Sequence, residues 1–249
     1  MSAVVSARTK AQRQARRALH AAQLARPGTF EALSVNDDFT DKVTDIPFLA
    51  RTRHPLAIGG QETKGIDYRE KLDHTWGVRQ RMSNEATQGV MVAWSRELAY
   101  AVGSEVNMPT RLGHGWLPLV EPGPGNDVLT RGVIWQDVQI RGYGHKVRIA
   151  STHRPPFRDR DLWKAYDAAL EAWLDASPIP VLLLTDANEA GGPDFDDEQW
   201  GWRGIGIDGA VSNLRLVSAY ELSFLRSDHR PLSIAVRPGA PHRGPRVTA

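Results

Sequence analysis

Nine polar residues of types that could do hydrolytic chemistry follow short apolar runs along this chain. They are amides, carboxylates and imidazoles, which can hold a hard cation such as Mg²⁺ or move a proton. The 249 residues include no cysteine, so thiolate metal sites and cysteine nucleophiles are excluded. The nine residues are Asn36, Asp38, Glu62, His153, Asp186, Asn188, Asp208, Asp228 and His229.

Each of these residues taken singly has an ordinary structural explanation. An Asn or Asp after a strand is commonly a turn former, and a lone histidine commonly satisfies a local hydrogen bond. The set is harder to explain in this way, because every member stands at the end of a predicted strand. Strand ends are where layered α/β folds place their sites.

The elements that must position these residues are mostly strands. Leu162, Ala165, Tyr166, Ala169, Leu170 and Trp173 recur at helical spacing, which predicts a helix over 158–176 with a buried stripe that excludes Trp163. Residues 103–131 and 189–206 are rich in Gly and Pro and are predicted as surface loops. Strands are predicted at 30–35, 56–59, 89–94, 132–140, 147–152, 180–184, 209–211, 214–218 and 232–236.

The N-terminal segment differs from the rest in charge. Residues 1–27 carry six basic side chains and no acidic one, whereas the whole chain has a net charge of +2. Residues 7–25 consist mainly of strong helix formers, so we predict a basic helical arm over 1–27, a body over 28–238 and a flexible tail over 239–249. The arm either contacts phosphates or a partner, or is a solvated appendage.

Several function classes are excluded by what the sequence lacks. It contains no G-x-S-x-G, no G-x-x-x-x-G-K-[ST] and no H-E-x-x-H motif. It also has no run of about 18 apolar residues, and its start does not have the charge order of a signal peptide. We therefore expect a cytoplasmic monomer that does not interact with membranes.

The order of the polar motifs resembles that of the endonuclease/exonuclease/phosphatase superfamily, which includes pancreatic deoxyribonuclease and exonuclease III. The most specific piece is Ser227-Asp228-His229-Arg230-Pro231, which is similar to the family's C-terminal Ser-Asp-His-x-Pro signature. The resemblance covers 30–236 and implies an α/β fold, a four-layer α/β/β/α sandwich of two mixed β-sheets. The sequence departs from the family at Val35-Asn36, Thr185-Asp186-Ala187-Asn188 and Thr152-His153-Arg154.

The resemblance also implies roles for the residues. Glu62 would bind Mg²⁺ or Mn²⁺ with help from Asn36 and from Asp38 or Asp228. Asp186 would activate the attacking water, Asn188 would donate its amide to a phosphoryl oxygen, and His153 would face the phosphate or the leaving group. His229 would lie near the scissile phosphate with Asp208 orienting its ring, and Arg154 and Arg230 would bind substrate.

The implied activity is metal-dependent hydrolysis of phosphodiester bonds, with nucleic acid as the expected substrate. Trp116, Trp200 and Trp202 are predicted in loops, where they could stack on bases or simply pack. A small phosphorylated substrate remains an alternative, because the family's core motifs are shared between nucleases and phosphatases. A non-catalytic binding protein on the same fold is a second alternative.

Overall fold

The computed structural model describes residues 2–37, 45–63, 66–81, 89–120, 131–155, 160–193, 195, 199–222 and 229–241. The helices are α1 (Ser2–Leu24), α2 (Asp45–Arg53), α3 (Tyr68–Lys71) and α4 (Arg160–Asp175). The strands are β1 (Phe30–Asn36), β2 (Ala57–Gln61), β3 (Trp76–Arg81), β4 (Val90–Ser95), β5 (Ala99–Ala101), β6 (Ser104–Glu105), β7 (Gly113–Val120), β8 (Arg131–Ile140), β9 (Lys146–His153), β10 (Val181–Asp186), β11 (Gly201–Ile205), β12 (Asp208–Ser212), β13 (Leu214–Glu221) and β14 (Leu232–Pro241).

These strands form two mixed sheets. The first sheet has the order β13-β14-β1-β2-β4-β3, and β1 runs parallel to β2. The second has the order β11-β12-β10-β9-β8-β7-β6, with β5 beside β8 and with β9 parallel to β10. Each sheet therefore has a parallel pair near its middle, flanked by antiparallel strands, and the second sheet has a further parallel pair, β6 with β7, at its edge.

The sheets pack face to face, and helices cover their outer faces. Leu56, Val92, Ile149, Leu182 and Leu184 belong to the buried cluster between the sheets. A second buried cluster joins α4 to the outer face of the second sheet, and a third joins α2 and α3 to the outer face of the first. This arrangement confirms the predicted four-layer α/β/β/α sandwich.

The two sheets come close together where Gly59 of β2 faces Leu184 of β10. A Cβ added at Gly59 would lie 2.4 Å from the Leu184 Cβ, which is closer than real side chains approach. Glycine is therefore required at this position to let the sheets pack at their observed distance.

Several local predictions are wrong. The predicted loops contain β7 and β11, because backbone pairing to β8 and β12 outweighs the weak strand preference of Gly and Pro. Trp163 is buried although it lies off the predicted stripe, because it stacks on Arg154 at 3.7 Å, and Ala165 on the stripe is exposed. Strand β14 continues to Pro241, so the predicted tail boundary at residue 239 is too early.

The N-terminal segment forms the predicted helix, but it is not a freely solvated appendage. His20 of α1 is buried against the first sheet, with Nδ1 at 2.8 Å from Ser218 Oγ and Nε2 at 2.8 Å from Ser233 Oγ. Burial lowers the pKa of His20 to about 4, so the imidazole is neutral at physiological pH. No helix in the described ranges is long and apolar enough to cross a membrane.

The close approach at Gly59 predicts the effect of a single methyl group. We expect Gly59→Ala to lower the free energy of unfolding by about 1–3 kcal/mol, because either Leu184 or the sheet must move. The measurement is urea denaturation followed by circular dichroism. Gly144→Ala is the matched control, because a Cβ there meets no described atom within 4 Å. Equal effects of the two substitutions would contradict the assignment.

Candidate active site

The candidate site lies where strand ends from both sheets meet. Parallel pairing of β1 with β2 places Asn36 beside Gln61, directly before Glu62. In the second sheet, Asp186 is in register with His153 on one side and with Asp208 on the other. The two parallel pairs thus bring polar strand ends from both sheets to one edge of the sandwich.

A buried hydrogen-bonded bridge fixes the two sheets to each other beneath this edge. The Gln61 side-chain amide donates to Ser151 Oγ at 3.0 Å and to the Leu184 carbonyl at 3.2 Å. Ser151 Oγ in turn donates to the Gly60 carbonyl at 3.1 Å. Because these groups are buried, sliding one sheet along the other would leave them without hydrogen-bond partners, which costs free energy. The bridge therefore favours the observed register of the two sheets.

Asp186 is at the centre of the site. Its Oδ2 accepts from Asn36 Nδ2 at 2.9 Å, and its Oδ1 accepts from the Asn188 backbone N–H at 2.9 Å. His153 Nε2 and His229 Nδ1 lie 3.6 and 3.7 Å from the same Oδ2. Burial raises the pKa of Asp186 above its usual value, although the hydrogen bonds and neighbouring cations oppose that shift.

His229 and Asp208 form the pair that the sequence predicted. His229 Nδ1 lies 3.0 Å from Asp208 Oδ2, which holds the ring through one nitrogen and leaves Nε2 on the opposite side. Asp208 precedes His229 by 21 residues, so the two are not neighbours in the chain. Pairing of β12 with β10 places Asp208 beside Asp186, within reach of His229.

Glu62 and His153 complete a second group around Asp186. Glu62 Oε1 lies 3.7 Å from His153 Nε2, and Glu62 has a left-handed backbone with φ 54°. Burial lowers the pKa of His153 well below its usual value, with Arg131 and His229 adding to the effect, so this imidazole is neutral. A non-glycine residue at positive φ is strained and is frequent at functional sites.

Two groups of side chains could hold a metal ion. Single donor atoms of Glu62, His153 and Asp186 all lie within 4.8 Å of one another, and so do those of Asp186, Asp208 and His229. Carboxylate oxygens are the ligands that Mg²⁺ or Mn²⁺ prefers, whereas an imidazole suits softer transition metals such as Zn²⁺. The sequence assigned Asp186 to water activation alone, whereas its position between the two groups makes it a candidate ligand as well.

Asn188 lies at the site in a conformation the sequence did not predict. Its backbone is left-handed with φ 51°. Its Nδ2 donates to the Arg154 carbonyl at 2.7 Å and lies 3.1 Å from His153 Nε2. One amide N–H thus donates to a protein carbonyl, and the other has an acceptor when His153 Nε2 carries the lone pair; in that tautomer, donation to a phosphoryl oxygen would require exchange of one of them.

Arg154 does not fit its predicted role in binding substrate. Its guanidinium is buried and forms ion pairs with Asp167 and, at 2.6 Å, with Glu189. Because Glu189 follows Asn188, and Arg154 N donates to the Asp186 carbonyl at 3.0 Å, Arg154 holds the loop that carries the site. Arg230 is exposed and pairs with Glu221 at 3.1 Å.

The remaining predicted residues divide into two groups. Asp38 and Asp228 lie outside the described residues. Trp200 and Trp202 are buried and pack in the cluster under α4, so of the two alternatives that the sequence left open for them, packing is the one observed. Trp116 is half-buried on β7, with Arg81 over its ring at 5.8 Å.

Sequence reasoning missed Arg131, the first residue of β8. It is 4% exposed, and its Nε has no hydrogen-bond partner. Burial lowers its pKa to about 10, with the charges of Glu62 and Asp186 acting in the opposite direction, so it remains a cation at neutral pH. A buried guanidinium whose Nε–H has no protein acceptor can donate to an anionic group. No motif marked it, because it begins an apolar strand.

Comparison with known proteins gives the same architecture. No family model and no curated protein sequence matches the chain. Among solved structures, an endonuclease/exonuclease/phosphatase family protein from Bacteroides thetaiotaomicron aligns with a TM-score of 0.65 and 13% identity, over 85% of this chain and 98% of that one. A mannosyl-6-phosphatase from the same organism aligns with a TM-score of 0.59 and 13% identity, over 83% of this chain and 99% of that one.

The human Nocturnin catalytic domain, solved with a bound sulfate anion, aligns with a TM-score of 0.59 and 12% identity, over 85% of this chain and 94% of that one. These identities are too low to transfer an activity, but the alignments extend over nearly the whole of each neighbour. The chain therefore has the fold of the endonuclease/exonuclease/phosphatase proteins.

Proposed function

We propose that this chain is a metal-dependent phosphoesterase that hydrolyses phosphodiester bonds in nucleic acid. The observation that carries the proposal is the position of Asp186, which is shared by the Glu62–His153 group and the Asp208–His229 pair. Such a site can bind a cation on one side of a buried carboxylate and hold an oriented imidazole on the other. Both features serve attack of water on an anionic phosphoester.

The roles follow from the geometry of each group. Glu62 and Asp186 would hold Mg²⁺ or Mn²⁺ through their carboxylate oxygens, and the ion would supply positive charge to the phosphoryl oxygens. Asp186, with its raised pKa, is a competent acceptor for the proton of the attacking water. His229, fixed by Asp208, would present Nε2 to the phosphoryl group, and Arg131 would offset the negative charge that develops there.

Nucleic acid is favoured over a small substrate by the basic helix α1, which packs against β13 and β14 beside the site. The second candidate is hydrolysis of a small phosphorylated compound, which the mannosyl-6-phosphatase neighbour favours. Parallel assays on single-stranded DNA, plasmid DNA, RNA and sugar phosphates distinguish the two. Hydrolysis of sugar phosphates alone would overturn the choice of nucleic acid.

The metal requirement gives the first functional test. We expect hydrolysis of bis(p-nitrophenyl) phosphate to need Mg²⁺ or Mn²⁺ and to stop in EDTA, since the donor set holds a hard cation. Glu62→Gln should raise the metal concentration for half-maximal rate and lower turnover. Glu70→Gln, at an exposed residue of α3, is the matched control. Full activity in chelator, or a wild-type rate for Glu62→Gln, would contradict the proposal.

The His229–Asp208 pair is tested by a double-mutant cycle on turnover at saturating metal. His229→Ala should lower kcat at least about 100-fold, the low end for a positioned proton-transfer or electrostatic group. Asp208→Asn should cost less, because the ring remains in a less favourable tautomer. The double variant should be hardly slower than His229→Ala. Multiplying losses would show that the two residues act independently.

Arg131 gives a test with two readouts. Arg131→Met keeps much of the side-chain volume and removes the charge, so kcat should fall about 100-fold, as for the loss of one oxyanion donor. Thermal stability should fall no further than in the exposed control Arg215→Met, because no hydrogen bond to Nε is lost. Unchanged kcat with reduced stability would identify Arg131 as a structural residue.

A further inference from the structure

A hollow lined by arginines lies between α1 and the edge of the sandwich, outside the candidate active site. It has a volume of about 420 Å³, and its lining includes Arg13 and Arg16 of α1, Arg230, Glu221 and Tyr220. A second hollow of about 210 Å³ continues beneath α1, is also lined by Arg16 and adds Arg203. The two share Arg16, Ile205 and Ala219 in their linings, so they adjoin each other, and together they make up the basic hollow.

Two cations of α1 lie on the same face of the helix as the buried His20. Arg16 and Arg13 precede His20 by four and seven residues, which places all three on one face. Both arginines are exposed and line the hollow, and Leu19, 59% exposed, lines its second part. This face of α1 therefore offers accessible positive charge to an anionic occupant of the hollow.

The charges of the hollow are poorly compensated by the protein. Arg13 and Arg16 form no ion pair with any residue in the described ranges, and Arg230 is paired with Glu221 at 3.1 Å. Arg203 is half-buried, its Nε has no hydrogen-bond partner, and burial lowers its pKa below the usual value. Cations held close together without partners are satisfied by phosphate groups, which accept several N–H donors at once.

The hollow adjoins the candidate active site at two points. Arg230 directly follows His229 in the chain, and Ile205 is paired in register with Asp208, the partner of His229. A strand whose scissile phosphate lies at His229 would therefore continue into the hollow. Its volume of about 420 Å³ is in the range of small-ligand sites, which is room for a nucleotide of a single-stranded segment.

We propose that this hollow binds the nucleotides that flank the scissile bond of a single-stranded nucleic acid, with Arg13 and Arg16 contacting their phosphates. The inference rests on the proposed function for the cleavage site, but it makes α1 a part of the substrate-binding surface. Tyr220, which lines the hollow with its ring 6.0 Å from the ring of His20, is placed to contact a base.

The test compares charge reversals on two faces of the same region. Binding of a fluorescein-labelled single-stranded oligonucleotide is measured by anisotropy in EDTA, where the metal-dependent reaction does not interfere. Arg13→Glu/Arg16→Glu should weaken binding at least tenfold and lower the magnitude of the slope of log K against log salt by about 1.4, since two phosphate contacts on a single strand are lost. Arg17→Glu/Arg26→Glu is the matched control, because it changes the charge equally at exposed residues that do not line the hollow.

Hydrolysis of bis(p-nitrophenyl) phosphate is measured on the same proteins, so that the two proposals fail separately. The loss of oligonucleotide binding in the Arg13/Arg16 variant should exceed any loss of small-diester hydrolysis at least tenfold, and the control should keep the wild-type rate. Equal losses of binding in both double variants would mean that the oligonucleotide is held by general charge attraction, and this result would overturn the proposed binding in the hollow. If the wild-type chain binds the oligonucleotide but hydrolyses nothing, the proposed function is overturned and the proposed binding in the hollow stands.

Discussion

The close packing of the two sheets at Gly59 and Leu184 is the constraint on which the rest of the structure depends. It sets the distance between β2 and β10, the strands that lead into Glu62 and Asp186. The Gln61 bridge then fixes how far one sheet can slide along the other. Because a site that uses both sheets needs its groups placed to within a fraction of an ångström, this contact decides whether the site exists.

Charge compensation around Asp186 determines what that site can do. A buried carboxylate on its own would become protonated, and burial does raise the pKa of Asp186. Hydrogen bonds from Asn36 and Asn188 and the positive charge of Arg131 keep an ionised form accessible. The neutral His153 beside it offers a lone pair or a proton without adding a charge. The surroundings therefore combine a basic carboxylate with nearby positive charge.

The sequence predicted the fold class and named candidate residues that the structure brings together at one edge of the sandwich, and the failures among the local predictions have physical causes. The pairing of Asp208 with His229 was predictable because both residues stand at strand ends in a motif order that resembles a known family. The position of Arg131 was not predictable, because a charged residue at the start of an apolar strand resembles an ordinary residue at the end of a strand. Arg154 was placed at the site by its neighbour His153, but burial of its guanidinium between Asp167, Glu189 and Trp163 depends on contacts that no local pattern encodes.

Because the site is built from both sheets, binding of a ligand there also stabilises the folded chain. Glu62 belongs to the loop after one sheet and Asp186 to the other, so a ligand that contacts both acts as a noncovalent cross-link between the layers. By mass action, such a ligand at a hundredfold excess over its Kd adds about 2.7 kcal/mol to the cost of separating the sheets. A cell that depletes the ligand would thereby make the same chain more susceptible to proteolysis, with no change in its sequence.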